Sequence, residues 1–147
     1  MHILVDHICF AVKDIEKAIR DWTGAFEYVQ MTEVVINTRQ QVKVVFLEKS
    51  KSITIKLIEP LPENASVVNF VKKGGGFHHL CFKTSEDMDA KITELKGRGL
   101  ISLVPPQPGE AFDNENIAFM LTRFGINIEL IDTDKKAKKI KDHPSSD

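Results

Sequence analysis

Four side chains able to do chemistry recur at nearly the same spacing in the two halves of the chain. His7 and His79 lie 72 residues apart, and Lys56 and Glu129 lie 73 residues apart. Two imidazoles and a carboxylate are typical nitrogen and oxygen ligands for Zn, Fe, Mn, Co or Ni. If the four side chains meet in one cleft, the sequence predicts a small-molecule site that could hold a metal.

Strand alternation places these side chains on the faces opposite to the apolar stripes. In the first predicted strand Ile8 and Phe10 point one way and His7 the other, and the strands that carry the remaining three residues follow the same rule. The alternative is the ordinary solvent face of a half-exposed sheet, where a single His or Lys is unremarkable. Convergence of all four requires the two halves to pack about a pseudo-twofold axis.

Longer segments support the idea that the chain is a repeat. Residues 6–10 return at 78–82 with His, Cys and Phe in register, and residues 53–59 return at 126–132. In both halves an acidic helix start and an amphipathic run follow the first strand. Two copies of one unit, each too small to bury its own apolar face, are expected to share a core.

The residue pattern of each half predicts a strand, a helix and then three strands. We therefore predict an α+β fold made of two tandem βαβββ modules in a single domain that spans residues 1–132. Module 1 covers 1–61, a linker with one short helix covers 62–73, and module 2 covers 74–132.

Two segments fall outside the repeat. Residues 105–115, which contain three prolines, are predicted to be an irregular loop that serves as a lid or specificity element, or that is merely a variable surface loop. Residues 133–147 hold five lysines and no apolar period, so they are predicted to form a mobile tail.

Composition limits the classes of partner. Twenty basic and twenty-one acidic residues give a formal charge of -1, which argues against nucleic acid and anionic membranes as partners. No apolar stretch approaches the ~20 residues that span a bilayer, and the N-terminus does not resemble a signal peptide. Cys9 and Cys81 are too few for a disulfide scaffold. We expect a cytoplasmic protein with a small-molecule substrate.

The chain resembles the vicinal oxygen chelate superfamily of glyoxalases, bleomycin resistance proteins and dioxygenases, and within it most resembles the methylmalonyl-CoA epimerases. The resemblance covers roughly residues 4–132. The segments that carry it are 6–19, 42–47, 57–61, 75–80 and 126–130.

This resemblance implies a cup-shaped, mixed eight-stranded sheet around a divalent metal, with the helices outside. It implies His7, His79 and Glu129 as metal ligands, with His78 pointing away. The fourth ligand position falls on Lys56, where relatives carry Glu or Gln. Because a protonated lysine cannot ligate a cation, the metal (Zn, Co, Ni or Mn) is either held by three protein ligands with water and substrate, or is weak or absent.

The resemblance also implies an activity and an assembly. An epimerase-like enzyme would abstract a proton beside a carbonyl through an enediolate, with Glu129 taking the proton and the metal or Lys56 stabilising the oxygen. The alternatives are a non-catalytic binding or sequestration protein of the same fold, which Lys56 favours, and a glyoxalase I-like lyase, which requires four N/O ligands. Residues 121–125 lack the His-Pro-Lys and glycine-rich stretch of the epimerases. The sequence therefore leaves open whether the substrate is attached to coenzyme A. A homodimer is expected by family analogy.

Overall fold

Strands and helices follow one another in the order that the repeat predicts. The computed structural model describes residues 2–140. Its elements are β1 (Ile3–Ala11), α1 (Ile15–Ala25), β2 (Val29–Gln30), β3 (Val35–Asn37), β4 (Val42–Glu48), β5 (Thr54–Pro60), α2 (Ala65–Lys72), β6 (Gly76–Thr84), α3 (Met88–Gly97), β7 (Ile101–Gly109), a 3₁₀ turn (Glu110–Phe112), β8 (Glu115–Leu121) and β9 (Asn127–Ile131).

One mixed sheet runs through both halves. Its strand order is β2-β4-β5-β1-β6-β9-β8-β7, with β3 also paired to β4. The two first strands, β1 and β6, lie antiparallel at the centre, and each has the last strand of its own half beside it in parallel. The sheet curls without closing, which confirms the predicted α+β fold. It has nine strands rather than eight because the first half forms two short strands, β2 and β3, between α1 and β4, where one strand is expected.

Helices α1 and α3 cover the convex face of the sheet. Ile15 and Ile19 of α1 pack on the strands of the first half, and Met88 and Ile92 of α3 pack on those of the second. Asp14 caps α1 by accepting a hydrogen bond from the Lys17 amide, and α3 is capped in the same way. No helix within residues 2–140 is long and apolar enough to cross a membrane.

The concave face, which we call the cup, carries a core that both halves build. Cys9 and Phe46 come from the first half, and Cys81 and Phe112 from the second. Val67 of α2 belongs to the same cluster, so α2 lies on the cup side and not outside with the other two helices. The linker helix therefore helps to close the cup instead of flanking the sheet.

The turn from α2 into β6 requires a glycine. Gly75 has φ +66°, and a Cβ atom there would lie 2.6 Å from the Ala11 carbonyl oxygen. A side chain would push β6, which carries His79, away from β1, which carries His7.

The prediction of an irregular loop at residues 105–115 is wrong. Strand β7 continues through three prolines to Gly109, and a 3₁₀ turn follows before β8 begins. Prolines are tolerated because β7 is an edge strand, where outward amides need no partner, and because its pairing with β8 shifts register twice. Sequence patterning missed the strand because an edge position is a tertiary property.

The first part of the predicted tail packs on the domain. The Ala137 amide donates to the Ala111 carbonyl and the Ile140 amide to the Met31 carbonyl, while Lys136 and Ala137 are buried. These contacts hold residues 133–140 in place, so this part does not form a separate mobile tail. Residues 141–147 of that prediction lie outside the described residues.

Candidate functional site

The two central strands and their parallel neighbours bring the four candidate residues together. His7 lies on β1 and His79 on β6, while Lys56 on β5 and Glu129 on β9 occupy positions opposite the cysteines of the adjacent strands. All four side chains face the cup, and none exposes more than 4% of its surface. These strands therefore form a buried polar centre within the cup.

Glu129 is the common partner at this centre. Its Oε1 atom lies 3.0 Å from His7 Nε2, 3.0 Å from His79 Nε2 and 3.2 Å from Lys56 Nζ. Lys56 Nζ also lies 3.4 Å from Oε2. One carboxylate thus connects three side chains that belong to three other strands.

Each histidine has a second partner in the residue that precedes it. His7 Nδ1 lies 2.7 Å from Asp6 Oδ2, and His79 Nδ1 lies 2.8 Å from His78 Nδ1. A carboxylate oxygen only accepts, so His79 donates through Nε2 to Glu129 and its Nδ1 accepts from His78. The expectation that His78 points away is therefore wrong: its ring turns back to His79 and packs against Phe70 of α2.

The electrostatics of the centre favour an ionised Lys56–Glu129 pair. Burial alone would raise the pKa of the Glu129 carboxyl, but Lys56 and the two histidines bring it well below its usual range. Burial would likewise lower the pKa of Lys56, yet Glu129 raises it. The pKa of His79 falls to about 3, chiefly because burial disfavours the imidazolium, so this ring is neutral.

A second buried ion pair lies behind His7. Lys136 Nζ, from the segment after β9, is 3.3 Å from Asp6 Oδ2. It is also 5.2 Å and 5.3 Å from the ring centres of Phe46 and Phe112, and Lys56 Nζ is 6.0 Å and 5.4 Å from the same two rings. Two ammonium groups thus share one pair of aromatic rings, and each ammonium faces its own carboxylate.

The two cysteines are free thiols inside the cup. Cys9 and Cys81 are both fully buried, and each has a ligand atom within 4.8 Å of neighbouring histidine groups. Burial raises the pKa of Cys9 to about 12 and that of Cys81 well above its usual value. Both thiols stay protonated at neutral pH, and both pack in the core of the cup.

A small cavity reaches the centre. It has a volume of about 50 Å³, and Lys56, His78, His79 and Phe119 form part of its wall. An outer groove of about 340 Å³, which extends to Leu103, shares His78 and Phe119 with it. The arrangement can admit a small polar head group to Lys56 while a larger part of the ligand stays in the groove.

The donor set fits a metal ion by distance. One ligand atom from each of His7, His79 and Glu129 lies within 4.8 Å of the other two, and Asp6 behind His7 resembles the carboxylate that often orients a metal-bound imidazole.

The donor set does not fit a metal ion by charge. A divalent ion held by Glu129 would share this carboxylate with the Lys56 ammonium, whose Nζ lies 3.2 Å from Oε1. A double and a single positive charge about 4 Å apart repel each other by about 8 kcal/mol at an effective dielectric constant of 20. The three donors and a protonated Lys56 therefore do not fit a divalent ion together.

Sequence reasoning named the four central residues and missed three that act on them. Asp6 and His78 occupy equivalent positions in the repeat, so their adjacency to the histidines was a usable signal. No sequence signal pointed to Lys136, because it lies in a lysine-rich segment without periodicity. Only the fold brings it close to Asp6.

Comparison with known proteins agrees with this fold. The sequence profile of the Glyoxalase/Bleomycin resistance protein/Dioxygenase superfamily matches residues 6–119. The chain belongs to this superfamily, whose members commonly bind a divalent metal. No curated protein sequence matches it.

Solved structures with the same fold include epimerases. Methylmalonyl-CoA epimerase from Mycobacterium tuberculosis is 28% identical, with a TM-score of 0.74 over 87% of this chain and 86% of that one. A hypothetical protein from Bacillus halodurans is 27% identical, with a TM-score of 0.75 over 92% and 98%. A Streptomyces coelicolor methylmalonyl-CoA epimerase variant in complex with 2-nitronate-propionyl-CoA, at 23% identity and a TM-score of 0.77 over 95% and 99%, shows likeness in fold alone.

Proposed function

We propose that this protein is an enzyme that removes and returns a proton beside a carbonyl group of a small molecule, through an enediolate. The observation that carries the proposal is the buried Lys56–Glu129 pair, whose lysine forms part of the wall of the small cavity. The similarity to the Mycobacterium tuberculosis methylmalonyl-CoA epimerase supports a carbon acid of this kind as substrate.

Lys56 and Glu129 have complementary roles in this reaction. The Lys56 ammonium donates a charged hydrogen bond to the oxygen on which the enediolate charge develops. Glu129 accepts the proton and returns it. While Lys56 holds Glu129, the carboxylate is a weak base with a lowered pKa. A substrate oxygen that takes a share of the ammonium relaxes this hold, so substrate binding itself makes Glu129 more basic.

The size of the cavity limits what can reach Lys56. A volume of about 50 Å³ accommodates a carbonyl or carboxylate group but not a whole thioester. The remainder of the substrate would lie in the outer groove beside Leu103 and Asn127. Methylmalonyl-CoA is therefore the first substrate to test, followed by small dicarboxylates without the carrier.

The experiment follows exchange of the acidic proton for deuterium. Racemic methylmalonyl-CoA is incubated with the protein in D2O, and loss of the α-proton signal is measured by NMR. It is measured once with EDTA and once with each of Zn, Co, Ni and Mn, because the metalloenzyme form of the hypothesis places the ion on His7, His79 and Glu129. We expect exchange in EDTA, and a loss of at least about 100-fold in Glu129→Gln.

A matched control separates the site from general effects. Glu115→Gln changes a half-exposed glutamate on β8 that pairs with Lys135 and lines neither the cavity nor the outer groove, and this variant should exchange protons at the wild-type rate. No exchange with any of these substrates, with EDTA or with metals, would contradict the proposed reaction.

One observation favours non-catalytic binding as a second candidate. Glu129 is fully buried and already has three partners, which suits a structural role in a protein that only holds its ligand. In that case substrate would bind, measurable by calorimetry, without proton exchange. A glyoxalase I-like lyase has less support, because Lys56 removes one of the four N/O ligands.

We also propose a homodimer in the cytoplasm. The open sheet leaves β2 and β7 as edges that could meet a second copy. The two buried free thiols are compatible with a reducing compartment. Light scattering on the purified protein tests the assembly, since a molar mass of 16.6 kDa would indicate a monomer.

A further inference from the structure

We infer that the Lys56 ammonium is the resident cation of the cup and that the protein uses this built-in charge in place of a divalent metal. The inference goes beyond the proposed reaction, because it holds equally if the cup only binds its ligand. It concerns which cation neutralises Glu129, and its test needs no substrate.

The geometry places Lys56 where a shared cation belongs. Its Nζ atom contacts both oxygens of Glu129, at 3.2 Å and 3.4 Å, and Glu129 in turn joins His7 and His79. A metal ion would be held by the imidazole nitrogens of these two histidines together with the Glu129 carboxylate. The ammonium therefore competes for the one carboxylate that links the set.

The surroundings are built for a fixed ammonium group. The Lys56 side chain is only 5% exposed, and its Nζ lies within 6.0 Å of the ring centres of Phe46 and Phe112. Aromatic faces attract cations, and a charge here has little contact with bulk water. An ammonium group without partners in the cup would be better hydrated if its side chain turned toward solvent. The Lys56 ammonium is instead held inside by a carboxylate and two aromatic rings.

Charge balance points the same way. The centre and its nearest neighbours contain two acidic side chains, Glu129 and Asp6, and each has its own buried ammonium, Lys56 and Lys136. A divalent ion would add two positive charges without a carboxylate left to balance them. Such uncompensated charge is costly in a buried site.

The test measures metal binding directly. Wild-type protein purified without chelator is analysed for bound metal, and Co²⁺ is then titrated by calorimetry, with the visible absorption of the ion as a second signal. We expect less than about 0.1 ion per chain and no saturable binding. In Lys56→Gln, which removes the charge and supplies an amide oxygen, we expect one Co²⁺ per chain bound at least about 100-fold more tightly than by wild type.

Lys136→Gln is the matched control. It removes the other buried ammonium beside the same two rings, but that ammonium contacts Asp6 and not Glu129. This variant should bind Co²⁺ no more tightly than wild type does. A gain equal to that of Lys56→Gln would mean that net charge alone, and not the place of Lys56, excludes the metal, and would overturn the inference.

Two further results would overturn it. One is a wild-type protein that binds one Co²⁺ per chain within about tenfold of the affinity of Lys56→Gln. The other is a folded Lys56→Gln, shown by circular dichroism, that gains no Co²⁺ binding. If Lys56→Gln does not fold, Lys56→Met is used in its place, because methionine keeps the apolar stem between the rings. That variant leaves His7, His79 and Glu129 as the three metal donors, and we again expect tighter Co²⁺ binding than in wild type. Failure of proton exchange would leave this result untouched, so the two proposals fail separately.

Discussion

The two halves of the cup have equivalent strands but opposite charges at equivalent positions. His7 and His79 lie on the first strand of each half and make the same contact with Glu129 at 3.0 Å. On the last strand of each half, the first half places Lys56 and the second half places Glu129. The repeat thus provides two matching places for a side chain, and the chain fills them with a complementary pair.

This difference shows what the repeat constrains. Packing fixes where the side chains point, since alternation and strand register are properties of the fold. The identity of each polar residue is constrained only by its partners. A second asymmetry follows the same rule, because Asp6 and His78 are equivalent in the repeat yet support their histidines as a charged and as a neutral group respectively.

The largest expected effect comes from making the two halves alike. Lys56→Glu gives each half a histidine on its first strand and a glutamate on its last strand. The variant therefore has two carboxylates in one buried site. We expect the metal-free variant to lose about 3–5 kcal/mol of unfolding free energy, the cost of breaking a buried pair and leaving its charge uncompensated. Addition of Co²⁺ should restore part of this loss, because the site then has four N/O ligands. Urea unfolding with and without the ion measures both.

The control and the contradictory outcome for this variant are simple. Lys135→Glu reverses an exposed lysine whose nearest acidic partner is 3.8 Å away, so it should change stability by no more than about 0.5 kcal/mol. If Lys56→Glu is as stable as wild type and is not stabilised by Co²⁺, Lys56 and Glu129 are not the interdependent pair that the comparison describes.

The sequence predicted that the four side chains meet, but it did not predict their surroundings, and the reasons are physical. His7, Lys56, His79 and Glu129 follow from strand alternation, and alternation is a local property that sequence shows directly. The extent of β7 did not follow, because three prolines are compatible with a strand only at a sheet edge. The role of Lys136 did not follow either, because its contact with Asp6 joins the two ends of the chain.

Substitution of the two residues that contact the outer nitrogens of the histidines, Asp6 and His78, should have smaller and unequal effects on the free energy of unfolding. Asp6→Asn keeps an acceptor for His7 but removes the charge that faces Lys136, so we expect a loss of about 1–3 kcal/mol. His78→Gln changes a half-buried neutral group and should cost less than about 1 kcal/mol. Urea unfolding of both variants at pH 7 tests the order. Equal losses would show that the two halves depend on these supports to the same degree.

A related variant measures the contribution of the segment after β9. Lys136→Met removes the ammonium but keeps the apolar stem against Phe46 and Phe112, leaving Asp6 without its cation. We expect a loss of about 1–2 kcal/mol, less than for Lys56→Glu because Asp6 keeps its bond to His7. The unfolding midpoint in urea gives the value. An unchanged midpoint would mean that the buried pair contributes nothing to the stability of the domain.

The smallest effect is expected where the two halves are most alike. Cys9 and Cys81 are equivalent, fully buried thiols, and burial raises the pKa of Cys9 to about 12 and that of Cys81 well above normal. At pH 8 only about one Cys9 in 10⁴ would be a thiolate, which is the form that alkylating agents attack. Native protein treated with iodoacetamide at pH 8 should therefore show no added mass after an hour, while protein in 8 M urea should take up two labels. Peptide mapping then assigns any native label to one cysteine. Rapid labelling of Cys81 alone would show that the second half opens more readily than the first, a difference in dynamics that the matched burial of the two thiols argues against.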